Sequence, residues 1–149
     1  MSSSSLSYVG YADGASRHTR HIASAAWVLY TLESDLLGSG VIFLGSEGIF
    51  LGSATNNVAE YMSVIQLLME ATSCDISNLV VRLDSQLIIM QLNNHYRVHH
   101  PVLLHYFLRV RLLERQFRTI TFEHFPREFN ASIDSLENYV LDWHLSHLL

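Results

Sequence analysis

The apolar pattern of the chain changes period near residue 58, and this change restricts the available folds more than any other feature. Before it, the apolar stretches are short and strand-like. Leu6 to Ala12 reads as a strand closing at Asp13-Gly14, and Ile22 to Leu32 is β-branched and aromatic. Glu33-Ser34-Asp35 reads as a turn. Leu36 to Leu51, punctuated by Gly38, Gly40, Gly45 and Gly48, suits a third strand or a bent hairpin. Beyond it, Val58, Tyr61, Met62, Ile65, Leu68, Met69 and Thr72 recur at helical spacing behind the capping-type residues Thr55, Asn56 and Asn57, which predicts a helix over 58–72. Leu79 to Leu83 is a buried-type strand stopping at Asp84-Ser85, where Ser85 caps a helix to about Leu92. Pro101 opens a helix to about Gln116, Thr119 to Phe125 alternates like a strand until Pro126, and Asn130 to about His147 forms a terminal helix. Three strands followed by alternating helices and strands describe a mixed α/β domain.

The length of 149 residues supports one core, and 49% hydrophobic with 15% charged residues excludes a disordered chain. No apolar run approaches the roughly 18 residues of a membrane span, and the start has no basic-then-apolar secretory pattern. The expectation is a flexible leader over 1–5 and a single domain over 6–149. Its location is expected to be intracellular, in cytoplasm or nucleus, neither secreted nor membrane-bound. Cys74, the one cysteine, has no internal disulfide partner. All nine basic residues are arginines and the formal net charge is −5. Arg97, Arg109, Arg111, Arg115 and Arg118 nonetheless cluster, with four histidines, between residues 95 and 118, where Glu114 is the single acid. Such a cluster is either a solvated helix face or a surface for a polyanion.

Four acids fall at element ends, where side chains from different segments converge in sheets packed with helices. Asp13 ends the first predicted strand, Asp84 ends the fourth, and Glu60 and Asp134 lie in the first turns of predicted helices. Each alone has an ordinary reading as a turn residue or a favourable charge at a helix start. Glu60 strains that reading, because Val64, Leu67 and Ala71 below it on the same face are apolar. A carboxylate turned toward a core needs pairing or a cation, and no lysine exists to pair with it. Convergent all-oxygen ligands suit magnesium or manganese.

These residues resemble the type 1 ribonuclease H domain family. The matching features are Asp13-Gly14, Thr55-Asn56-Asn57-x-x-Glu60, Asp84-Ser85-Gln86, and His124 with Asn130-x-x-x-Asp134, in the family's order from about residue 6 to 147. The resemblance implies a ribonuclease H-like fold, a five-stranded mixed sheet of three antiparallel and then two parallel strands flanked by helices. The short Asn93 to Pro101 link stands where bacterial members carry a basic insertion, so the chain is more similar to archaeal-type or plant retrotransposon-type members.

The implied activity is cleavage of the RNA strand of an RNA/DNA hybrid by two-metal hydrolysis, with two Mg2+ ions for which Mn2+ substitutes. Asp13, Glu60, Asp84 and Asp134 would be metal ligands and catalytic, with His124 or Arg127 assisting. Thr55, Asn57 and Gln86 would contact the substrate, and the link and helix arginines Arg97, Arg111 and Arg115 would hold phosphates. The resemblance is compatible with a monomer or with a part of a retroelement polyprotein. The alternative from another class is a catalytically idle hybrid-binding or tether domain of a reverse transcriptase.

Overall fold

Among the described residues, five strands and three helices follow in the order the apolar pattern dictates: β1 (Ser7–Arg17), β2 (Ile22–Thr31), β3 (Leu36–Gly45), α1 (Ala54–Ser73), β4 (Asn78–Leu83), α2 (Gln86–Leu92), α3 (Pro101–Glu114) and β5 (Thr119–His124). The structure, a computed structural model, describes residues 7–17, 22–33, 35–45 and 54–126. The predicted leader and terminal helix, with Arg127 and Asp134, lie outside the described residues. No helix among the described residues is long and apolar enough to cross a membrane.

The sheet order is β3-β2-β1-β4-β5. Pairings of β1 with β2 and β2 with β3 are antiparallel, and those of β1 with β4 and β4 with β5 are parallel. This is the five-stranded mixed sheet expected from the resemblance. Strand alternation sends Ala12, Leu29, Leu79, Val81 and Leu83 to one face, where they bury against Tyr61, Val64, Ile65, Leu67, Leu68 and Ala71 of α1. Because α1 packs on β1, β2 and also on α3, its buried arc is broader than a single stripe. Met69, predicted to be on the apolar face, is 48% exposed, whereas Val64, Leu67 and Ala71 below Glu60 are fully buried. The opposite sheet face carries a smaller cluster of Ala26 and Val28 with Tyr11, Tyr30 and Val41 around it.

Two boundaries correct the sequence reading where the site is built. The first strand does not end at Asp13: β1 continues to Arg17 because β2 offers an antiparallel partner as far as Arg17↔Ile22. Only its parallel partner stops there, at Ala12↔Leu83. The long helix starts at Ala54 rather than 58, so Thr55, Asn56 and Asn57 lie within its first turn and Glu60 in its second. Polar side chains are at ease in a first turn because its backbone N–H groups lack intrahelical partners. The third strand ends at Gly45, and residues 46–51 of the predicted stretch lie outside the described residues.

Candidate active site

Where β4 ends, β1 loses one neighbour, and a notch opens beside Asp13. Asp84 follows directly on β4, and the second turn of α1 brings Glu60 over the same edge. One oxygen from each of Asp13, Glu60 and Asp84 lies within 4.8 Å of the other two. Asp13 is 1% exposed, Glu60 7%, and Asp84 is half-buried.

Two local devices shape the notch. The Gly14 N–H donates to Glu60 Oε1 at 3.1 Å, tying strand to helix. This contact needs glycine: a Cβ on Gly14 would stand 2.5 Å from the Ala59 carbonyl oxygen, inside the backbone of α1. The Asp-Gly pair is therefore a close approach of strand to helix rather than the turn its sequence suggests. Beyond Asp84, Ser85 takes the N-cap of α2, its Oγ accepting from Ile88 N–H at 3.3 Å.

Three carboxylates gathered in a largely buried notch repel one another, and their donor set fits a hard divalent cation of the magnesium or manganese kind. Among the described residues no other group of three His, Cys, Asp or Glu side chains comes together in this way.

Behind the notch the sheet is braced. Arg82, two residues before Asp84, donates to the Tyr11 hydroxyl at 2.9 Å and to Glu123 Oε2 at 3.2 Å, and its guanidinium stacks over Tyr11 and Phe125. Tyr11 meets Phe125 edge-on at 5.1 Å between ring centroids. Burial works to lower the Arg82 pKa, but the bonds to Tyr11 and Glu123 more than offset it, so the net shift is upward. The cluster pins β1, β4 and β5 one step behind Asp13.

A second set of polar ties, missed by the sequence reading, lies among the helices. The fully buried Tyr61, next to Glu60, donates its hydroxyl to Gln91 Oε1 at 2.5 Å. Burial pushes the Tyr61 phenol far above its ordinary range, only partly offset by the Arg111 charge, so it stays a donor. The signal in the sequence was slight: one glutamine inside the otherwise apolar stretch Leu87 to Leu92.

Asn57 is half-buried in the first turn of α1, and Gln86 is exposed at the start of α2. Thr55 is in the first turn of α1, with its side chain outside the described residues. Arg97 is exposed in the α2–α3 link, lining an open cleft of about 330 Å3 with Tyr96, His99 and Phe107. Arg115 is exposed at the C-cap of α3. Arg111 is not free to meet a ligand as expected: its guanidinium pairs with Glu114, donates to the Leu92 carbonyl at 2.5 Å and to Asn94 Oδ1 at 2.8 Å, and covers the Phe107 ring. An orphan carbonyl at the end of α2 attracts this cation. His124, expected to assist catalysis, is the last residue of β5, in register opposite Leu83 and exposed. It does not join the carboxylate group. The bond from Phe125 N–H to the Leu83 carbonyl at 2.7 Å extends that register past it.

Likeness to known proteins is found at the level of family, sequence and structure. The "Reverse transcriptase-like" family profile matches residues 11–140. A bifunctional protein of Mycobacterium tuberculosis is 34% identical over 131 residues, which cover 88% of this chain and 34% of that protein. The Ribonuclease HI of Halobacterium salinarum is 34% identical over 132 residues, 89% of this chain and 63% of the relative. The chain thus spans about a third of the mycobacterial relative's length and under two thirds of the haloarchaeal one's. The crystal structure of the RNase H1 from Halobacterium salinarum superposes with a TM-score of 0.82 at 32% identity, covering 91% of this chain and 98% of that one. The LC11-RNase H1, crystallised in complex with an RNA/DNA hybrid, superposes with a TM-score of 0.81 at 28% identity, covering 93% and 99%.

Proposed function

The chain is a ribonuclease H domain of the Reverse transcriptase-like family, and on that premise we propose that it hydrolyses the RNA strand of RNA/DNA hybrids with divalent metal. The observation that carries this reading is the convergence of Asp13, Glu60 and Asp84 from three elements into one largely buried notch. In this reading those three side chains hold two Mg2+ ions, or Mn2+, together with Asp134. When bound, such ions stabilise the attacking and leaving oxygens of a phosphodiester hydrolysis.

The protein supplies placement. In this reading Asn57, three residues before Glu60, and Gln86, two residues after Asp84, offer amide donors and acceptors to sugars and base edges, and Thr55 contacts a phosphate. Recognition by backbone shape and the 2'-hydroxyl predicts little sequence preference. Arg97 and Arg115 are the exposed cations of the predicted set available to phosphates, and Arg111 contributes by holding the α2–α3 link that carries Arg97. His124 at the rim of the sheet assists protonation or release of the product, and Arg127 shares in that release. A monomer or a part of a longer polyprotein, an intracellular location and a retroelement origin complete the proposal; a polymerase-coding segment beside the gene is the check on the last.

The test is incubation with labelled RNA/DNA hybrid, duplex RNA, duplex DNA and single strands, with Mg2+ and with chelator. Cleavage of the hybrid's RNA alone, dependent on the ion and lost in Asp84→Asn, is expected. Hybrid binding without cleavage would favour the idle tether, and cutting of duplex DNA would refute the assignment.

A further inference from the structure

Glu60 and Asp84 must be held at a fixed spacing if one ion is to span them, yet they stand on separate helical arms. Glu60 is inside α1, and Asp84 precedes the N-cap of α2, a helix of only seven residues, about 10 Å long. So short a helix has little stability of its own. Its position depends on what grips it.

The apolar side chains of Ile88, Ile89 and Leu92 seat it on the core, and polar grips fix the direction of its far end. Tyr61, the residue after Glu60, donates to Gln91 at 2.5 Å, and both are buried, Gln91 to 6% exposure. From α3, Arg111 holds the Leu92 carbonyl and Asn94. A leucine or methionine at 91 would pack in the same space without any need for a partner, so the burial of a glutamine calls for a reason beyond filling volume. A buried hydrogen bond fixes separation and direction more sharply than apolar contact does.

We propose that Tyr61 and Gln91 are positioning residues: their hydrogen bond locks α2 against α1 and so sets the spacing of the Glu60 and Asp84 carboxylates, and with it the affinity for the divalent ion. The inference rests on the reading of those carboxylates as metal ligands. A seven-residue arm pivoting at its distal end transmits a slip at Gln91 to Asp84. Metal sites lose affinity when their ligands are misplaced by about 0.5 Å.

The test compares Tyr61→Phe, Gln91→Met, the double variant and, as a matched control, Trp27→Phe, which removes a hydrogen bond from Trp27 Nε1 to Glu70 near the other end of α1. Each is titrated with Mg2+ while the melting temperature is followed, and hybrid cleavage is measured at saturating ion. Each single variant is expected to melt lower without metal and to need about tenfold more Mg2+ for its half-maximal thermal gain, with kcat at saturating Mg2+ within about twofold of the parent. The double variant, with both partners apolar, is expected to recover metal-free melting temperature but not Mg2+ affinity. An unchanged Mg2+ midpoint in the single variants, recovery of that midpoint with stability in the double variant, or an equal midpoint shift in Trp27→Phe would each overturn the proposal. Absence of any Mg2+-induced stabilisation in the parent would instead remove the metal-site reading itself, and this inference with it.

Discussion

Replacing Gly14 with alanine tests the construction of the site at its tightest point. The added Cβ would lie 2.5 Å from the Ala59 carbonyl oxygen and closer still to the Ala59 carbonyl carbon and the Glu60 nitrogen. Relief needs a displacement of about 1 Å between β1 and α1 to restore ordinary contact. The neighbour is helix backbone, which cannot rotate aside. Such a shift stretches the 3.1 Å bond from Gly14 N–H to Glu60 Oε1 beyond useful range and moves Asp13 away from Glu60. Overpacking of this kind costs about 1–3 kcal/mol. The lost bond adds about 1 kcal/mol. For a domain of this size, a fall in melting temperature of about 5–12 °C follows. Gly38→Ala is the contrast, since its Cβ would meet the carboxyl end of Glu70, a side chain that can swing away. Calorimetry of both variants with and without Mg2+, followed by hybrid cleavage, measures the difference. A Gly14→Ala protein with parental melting temperature and parental Mg2+ response would refute the argument that close approach dictates this glycine.

Other outcomes follow from the same geometry. Tyr61 ionises above its ordinary range when folded and near pH 10 when unfolded, so its contribution is whole below pH 10 and declines as pH rises through the folded value. The stability advantage of the parent over Tyr61→Phe should therefore shrink above pH 10 by up to about 1.4 kcal/mol per pH unit, read from denaturant melts across that range. Arg111→Ala should lower stability by about 2–3 kcal/mol, because charge-assisted bonds to Leu92, Asn94 and Glu114 are lost together. Arg97→Ala should leave stability within about 0.5 kcal/mol but reduce the slope of log hybrid affinity against log salt by about 0.7–0.9. Asp13→Asn should abolish turnover while leaving the metal-free melting temperature equal or higher, since one of three clustered charges disappears; a clear metal-free loss would make Asp13 a structural residue.

Periodicity made the architecture legible because the local signals agree with the tertiary demands on them. The run Leu79 to Leu83 pairs on both sides, as an interior strand should, and the apolar residues below Glu60 place its carboxylate at the sheet edge. What stayed hidden was set by partners distant in sequence. An Asp-Gly pair looks the same whether it turns the chain or admits a helix, and only the proximity of Ala59 distinguishes the two. β1 runs past Asp13 because β2 covers it, a fact of pairing rather than of composition. Likewise, nothing local marks Tyr61 and Gln91 as partners 30 residues apart.

The arginines show the same limit in electrostatic form, and they decide how a chain of net charge −5 could hold a polyanion. A cluster counted along the sequence treats every guanidinium as available. In the fold, Arg82 is committed to Tyr11, Glu123 and Phe125, and Arg111 to the end of α2. Both are partly buried and satisfied, and recruiting either to a phosphate would break bonds that hold the sheet or the helices together. Arg97, Arg109, Arg115 and Arg118 remain exposed, all of them on the link, on α3 or just beyond it. Since α3 packs on α1 and the link follows α2, this exposed charge is carried by elements joined to the helices that bear Glu60 and follow Asp84. A polyanion held there would be placed by elements that pack on, or follow, those that set the carboxylate spacing. In the proposed function, the structural arginine Arg111 and the surface arginine Arg97 would serve one task through different physics, the first through rigidity, insensitive to salt, and the second through counterion release, sensitive to it.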